Sequence, residues 1–305
     1  MLFLIAAGAR ADILSQSSAF LETPGSEYTP EAVTPDVAVE DPAFAPFSPA
    51  DSDFGVQQVL GTYAGLPPVQ ITLDASLNYS SNAPGVTRAQ DGESWYFGSS
   101  LAVSWRPRLA YGWFVDLGLR QDVFVFERSE ASNFQNFQPH IGVVKTLTQL
   151  DDLLIYGRYE YQRITTESLS ESGYWGQRIR LGAQKNLILT SHYQLSVGVN
   201  SAFDLGASQD AVERNSYGVD LSFTYWLAEN LSSTLSWGGA MWDFSENSRR
   251  DWRNIVGLEL TWTPSENTRI YTNVFYINHD SNSAFGADDY EAWQSGIGVG
   301  LNYSF

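Results

Sequence analysis

The chain has no cysteine, two methionines among 305 residues, and no long apolar run. Without cysteine there is no disulfide framework and no thiolate metal site, and the redox compartment stays open. A spanning helix needs about 18 or more continuous apolar residues, so a chain like this one crosses a membrane only as strands. Positive charge is scarce as well. Seventeen Lys and Arg stand against 35 Asp and Glu, a formal net charge of −18, which argues against nucleic acid as a partner because phosphates want a basic face. No H-x-H, E-x-x-H or glycine-rich phosphate loop occurs, so no metal, nucleotide or other cofactor is implied.

The first 66 residues read differently from the rest. "MLFLIAAGARADIL" is a short apolar run ending in small residues, Ala7-Gly8-Ala9 or Ala9-Arg10-Ala11. Either would suit a signal peptidase that accepts A-x-A, although the positive n-region is missing. Residues 1–11 are therefore expected to be a signal-peptide remnant whose true start lies upstream of Met1. Residues 12–66 are rich in Pro, Ser, Ala and acid, without helical or strand periodicity. Such a segment buries too little apolar surface to offset its ordering entropy, so it is expected to be a disordered periplasmic extension with room for a periplasmic partner.

What is abundant is aromatic side chains, 14% of the chain, and their spacing is regular. Trp252 and Trp262 rule off "WRNIVGLELTW", with Asn254, Val256, Leu258 and Leu260 in phase with them and Arg253, Gly257, Glu259 and Thr261 on the other face. Trp95 and Trp105 bracket "WYFGSSLAVSW", and Trp293 and Tyr303 bracket "WQSGIGVGLNY". All three pairs are ten residues apart. Ten steps at about 3.3 Å give roughly 33 Å of strand, which a tilt near 40° projects onto about 25 Å, the apolar height of an outer-membrane barrel. Aromatic rings settle at headgroup level because one end is apolar and the other forms hydrogen bonds. The six aromatics are thus expected to form the membrane girdle.

From residue 67 onward, alternating segments separated by polar breaks predict strands near 68–80, 94–106, 109–126, 134–147, 153–164, 174–186, 190–204, 215–227, 230–243, 251–263, 267–278 and 291–305. The fourth is weakened by Pro139, and the eleventh by Tyr271, Phe275 and Ile277 on the face that should be polar. Breaks after even-numbered strands are mostly tight ("PR" at 107–108, "AEN" at 228–230), and those after odd-numbered strands are longer. The fold class expected is all-β: a transmembrane antiparallel up-and-down barrel of about twelve strands over residues 67–305, with short periplasmic turns, longer extracellular loops and both termini periplasmic.

The last residues, "GIGVGLNYSF", alternate Ile297, Val299, Leu301, Tyr303 and Phe305. A terminal strand closing on an aromatic residue resembles the sorting signal of bacterial outer-membrane β-barrel proteins. The resemblance implies recognition by the barrel assembly machinery, and residence among outer-membrane lipid and lipopolysaccharide. Within that class the chain looks like the twelve-stranded small porins, from which its long acidic, Pro-rich leader departs.

In such a barrel the alternate face points into the lumen. There it collects Arg106, Arg120, Arg158, Arg178 and Arg180 with Asp116, Asp122 and Glu160, together with His140, Gln162, Gln184, Asn200, Asp220 and Glu259. Symmetric pairing of the fifth and sixth strands sets Arg158 across from Arg180 and Glu160 across from Arg178. Two arginines side by side repel unless an anion lies between them. The functional reading is a porin-like channel for passive diffusion of small hydrophilic solutes, anionic ones among them, along a basic track similar to that of small porins selective for acidic sugars. The rival is a non-conducting barrel, filled by mutually neutralising charges, that anchors, scaffolds or helps export a surface polymer. A third reading is a lipid or peptide hydrolase. His279 and Ser281 have the H-x-S spacing that resembles outer-membrane phospholipases, but they are expected at the start of a polar loop, and the sequence identifies no third, orienting residue. The chain is accordingly read as not an enzyme, without catalytic or metal-binding residues.

Overall fold

Alternation at period two puts every second side chain on one surface of a sheet, and the sheet so specified closes on itself. The structure, a computed structural model, describes residues 69–82, 93–128, 133–150, 152–166, 171–190, 192–208, 213–245, 248–282 and 289–305. The expected leader, residues 1–11 and 12–66, lies outside them. Among the described residues twelve long strands follow one another: β1 Val69–Ser80, β2 Ser94–Trp105, β3 Trp113–Phe126, β4 Phe134–Leu147, β5 Leu153–Thr166, β6 Glu171–Thr190, β7 Tyr193–Ala207, β8 Arg214–Ala228, β9 Leu231–Phe244, β10 Arg250–Ser265, β11 Thr268–Ser281 and β12 Tyr290–Ser304. Each pairs antiparallel with its neighbours in sequence. β1 also pairs with β12, from Gln70 opposite Ser304 to Ser80 opposite Gln294. At that joint Val69 N donates to the Phe305 carbonyl at 3.2 Å and Phe305 N to the Val69 carbonyl at 2.9 Å. The sheet is therefore a closed ring with no free edge, the arrangement that satisfies every backbone ladder inside lipid.

Burial is inverted relative to a water-soluble protein. Leu73, Leu101, Leu235, Leu258, Ile297 and Val299 stand exposed on the outside, while Asp122, Asn136, Glu160 and Asp251 inside have no exposed surface. An apolar outer band over a polar interior is what lipid as the surrounding solvent selects. Trp95, Trp105, Trp252, Trp262, Trp293 and Tyr303 also project outward, at or near strand ends.

Three local departures from the alternation have physical causes. The turn after β2 is not the tight one at 107–108. Arg108–Ala110 forms a three-residue strand that folds back on Trp113 and Phe114, and β3 begins at Trp113. Leu109 and Tyr111 continue the pattern past the point where the backbone has turned. Gly112, at φ +67°, makes that turn, with its carbonyl accepting from Thr146 N at 2.8 Å; a Cβ here would also press on the Thr146 carbonyl. Pro139 does not break β4. Its ladder to β3 is continuous, whereas the ladder to β5 steps from Phe137–Arg163 to His140–Glu160, on the side where proline has no N–H to give. In β11, Tyr271, Phe275 and Ile277 face inward because Tyr271 and Phe275 lie over Gly298 and Gly257 and Ile277 packs on Ile255 and Ala292.

Rings laid over glycines recur along the wall. The end of the Tyr156 ring lies over Gly182, where a Cβ would collide with it, and Tyr156 packs with Phe114, Val144 and Leu154. Gly182→Ala is expected to destabilise the barrel by about 1–3 kcal/mol, the range for overpacking. In a urea titration that reads this loss, Gly198→Ala, whose nearest neighbours stand at an ordinary 3.6 Å, should leave the unfolding transition close to wild type.

Candidate functional site: the lumen

Pairing of β5 with β6 places Arg158 opposite Arg180 and Glu160 opposite Arg178. Glu160 is fully buried and takes all three guanidinium groups: Arg158 and Arg180 converge on Oε1, the latter at 3.1 Å, and Arg178 binds Oε2. Gln138 adds a hydrogen bond to Oε2 at 3.2 Å. One carboxylate thus answers three cations. Each of the three bonds runs from a guanidinium Nε to an ionised carboxylate and is charge-assisted, the stronger class of hydrogen bond. Arg180 reaches on to Asn200, and Asn200 to Asp220, at 3.4 and 3.2 Å.

The other charges on this wall are paired strand by strand. Arg106 binds Asp116 at 3.1 Å, and His140 Nε2 lies 3.3 Å from the second oxygen of Asp116. Arg120 binds Asp122 at 2.8 Å, and Asn136 and Gln162 extend that contact across β4 and β5. Gln184 faces the same interior from β6. On the far side β8 to β12 and β1 carry smaller polar groups: Thr224 with Thr234, Thr261 with Glu259, and Thr72 with Asn302. Arg269 crosses from β11 to Asp74 of β1 at 2.8 Å. Sequence reasoning passed over this pair because Arg269 falls next to a turn, and the β1–β12 joint that brings it to Asp74 is the longest-range contact in the fold.

Height in the barrel matters as much as strand. At the end bearing the longer connections both walls carry packed aromatic groups. Tyr96, Phe126, Phe134 and Ile164 cluster with Phe124 and Tyr174 on one side, and Trp242 packs with Phe244 on the other. Arg214 lies 3.8 Å over the Trp242 ring and Arg249 lies 4.4 Å over Phe244, the cation–π arrangement that tolerates burial of a guanidinium.

His279 and Ser281 belong to β11 and face this packed layer, not a polar loop. The third residue that sequence left unidentified is Asp251, across the ladder on β10. It accepts from Ser281 Oγ, lies 3.3 Å from His279 Nε2, and binds Arg249. The carboxylate stands between the histidine and the serine, so the imidazole does not take the hydroxyl proton and the order needed to activate a nucleophile is missing. His279 is instead a packed ring, stacked on Tyr290 at 5.0 Å and against Trp242 at 5.3 Å. Asp251 left no signal in sequence because it lies 28 residues upstream of His279. His192 is in the turn between β6 and β7.

No family model matches the chain, and no curated protein matches it. Solved structures of outer-membrane proteins align with it. An outer membrane channel from Pseudomonas putida F1 aligns with a TM-score of 0.53 at 8% identity, over 78% of this chain and 96% of that one. The NanC porin aligns at 0.47 and 13% identity, over 75% and 98%. Outer membrane phospholipase A from Escherichia coli aligns at 0.44 and 17% identity, over 77% and 93%.

Proposed function

We propose that this chain, which has the fold of the twelve-stranded outer-membrane β-barrel proteins, is a porin-like outer-membrane channel for small hydrophilic solutes, with a preference for anions. One observation carries the preference: in the lumen's arginine pairs the carboxylate is withdrawn and the guanidinium faces the interior. Side-chain exposure is 31% for Arg120 against 1% for Asp122, and 45% for Arg269 against 17% for Asp74. The pairs are neutral in sum, but the surface a solute meets is cationic, and a low-dielectric wall around it concentrates that field. Arg158, Arg178 and Arg180 back this surface from behind, since their 7%, 13% and 5% exposure leaves them little contact with a passing solute. In this reading the tight turns and both termini face the periplasm, the last strand is the assembly signal, and lipopolysaccharide surrounds the other rim.

The packed aromatic layer favours a second reading, a barrel that does not conduct and serves as an anchor or scaffold. Single-channel recording of the refolded full chain separates the two. A channel gives steady conductance and a reversal potential on the anion side in a salt gradient, and Arg120→Gln with Arg269→Gln moves that potential toward zero. Arg158→Gln moves it less. A correctly folded barrel that is silent in every bilayer overturns the channel and leaves the anchor. Hydrolysis of lipid or peptide that His279→Ala abolishes would overturn both.

A further inference from the structure

Among the described residues nine arginines pair with a carboxylate. Even exposed ones do: Arg128 pairs with Glu93 at 3.0 Å and Arg250 with Asp243 at 3.1 Å. On the outer face of the rim that carries the tight turns, two cations depart from this. Lys145, on the outer face of β4, donates to the Tyr111 carbonyl at 3.1 Å and lies 4.9 Å over the Trp113 ring. Arg108, in the turn before β3, donates to the Ala110 carbonyl at 3.3 Å and lies 5.8 Å from the centre of the Tyr111 ring. Among the described residues neither has a carboxylate partner. Tyr111 organises both cations, one through its carbonyl and one through its ring, and is itself 68% exposed.

Around these two charges the surface is apolar. Leu109 is exposed in the same turn, Leu150 in the next, and Val143 and Ile155 flank Lys145 on the outer wall. Tyrosine and tryptophan rings occupy the headgroup level of a bilayer, and a lysine next to a strand end extends its ammonium to that level. A pair of uncompensated cations at this depth, above aliphatic side chains at acyl depth, matches a molecule with one phosphate and two hydrocarbon tails.

We propose that Arg108, Lys145, Tyr111 and Trp113 form a binding site for the headgroup of an anionic glycerophospholipid, with its phosphate between the two cations and its chains on Val143 and Ile155. The choice of a phospholipid over lipopolysaccharide rests on the orientation given above, in which this rim lies in the inner leaflet. Binding itself does not depend on whether the lumen conducts.

The test is native mass spectrometry of the full chain released from neutral detergent micelles containing dioleoyl phosphatidylglycerol. Wild type is expected to retain one lipid, and the double variant Arg108→Gln, Lys145→Gln to need about thirtyfold more lipid for the same occupancy, from two cations of ordinary strength near an anionic surface. Arg163→Gln, on the outer face toward the opposite rim, serves as the matched control and should behave as wild type. Heat-modified mobility on gels verifies that every variant is a folded barrel. Equal retention by the double variant overturns the site, as does loss on Arg163→Gln alone. Displacement of the phosphatidylglycerol by equimolar lipid A overturns the assignment to phospholipid. Silence in bilayer recordings with phosphatidylglycerol still retained leaves the site standing without the channel.

Discussion

Glu160→Gln should cost the barrel about 3–5 kcal/mol of unfolding free energy, the usual penalty for removing one member of a buried ionic group. The substitution keeps size and shape. What it removes is the anion that Arg158, Arg178 and Arg180 share, since all three bind this carboxylate. Three guanidinium groups then face one another in a site where Glu160 has no exposed surface, so water screens them poorly. Urea unfolding followed by tryptophan fluorescence reads the loss directly. Chloride at high concentration should recover part of it in the variant and not in wild type, because an anion then takes the place of the carboxylate. Glu93→Gln, at an exposed pair with Arg128, should leave the transition where it is. An unchanged midpoint for Glu160→Gln would mean that the arginines are held by something other than Glu160.

Leu235→Arg and Thr234→Arg should differ in cost by about 2–4 kcal/mol although they are adjacent, the charge at 235 being the expensive one. Leu235 faces outward and pairs with Leu258 of β10, next to the midpoint between Trp252 and Trp262. An arginine there has to leave its charge in hydrocarbon or distort the bilayer to reach water. Thr234 faces inward, opposite Glu259, where a new guanidinium meets an opposite charge across the ladder. Refolding yield and urea midpoint in bilayer vesicles measure both. Since a one-residue slip exchanges every inside and outside position, the reverse order of costs would show that β9 is out of register.

The strand count, the alternation of short and long connections, and the Arg158–Arg180 pairing were legible because they depend on local sequence. A period-two pattern shows wherever one face meets lipid, and strands joined by a short connection have little freedom in register. What was illegible depends on partners distant along the chain. Tyr271, Phe275 and Ile277 looked misplaced because sequence does not show that glycines at 257 and 298 receive two of those rings. Asp251 was invisible as the contact of His279 and Ser281 for the same reason, since only the β10–β11 register brings them together. The depth of a charge within its pair was also beyond reach. Arg120 and Asp122 both alternate inward, and which of them fronts the lumen is set by how the side chains fold over the wall.

Eleven of the twelve joints in the ring connect strands that follow one another along the chain, and the twelfth joins residues more than two hundred positions apart. Its two terminal hydrogen bonds use the backbone of Phe305, the last residue of the sequence. The eleven local joints close over short connections, whereas the twelfth has to bring the two ends of the sheet together, the joint with the largest loop-closure cost. Until it forms, β1 and β12 each present an open edge, which is a template for any other strand.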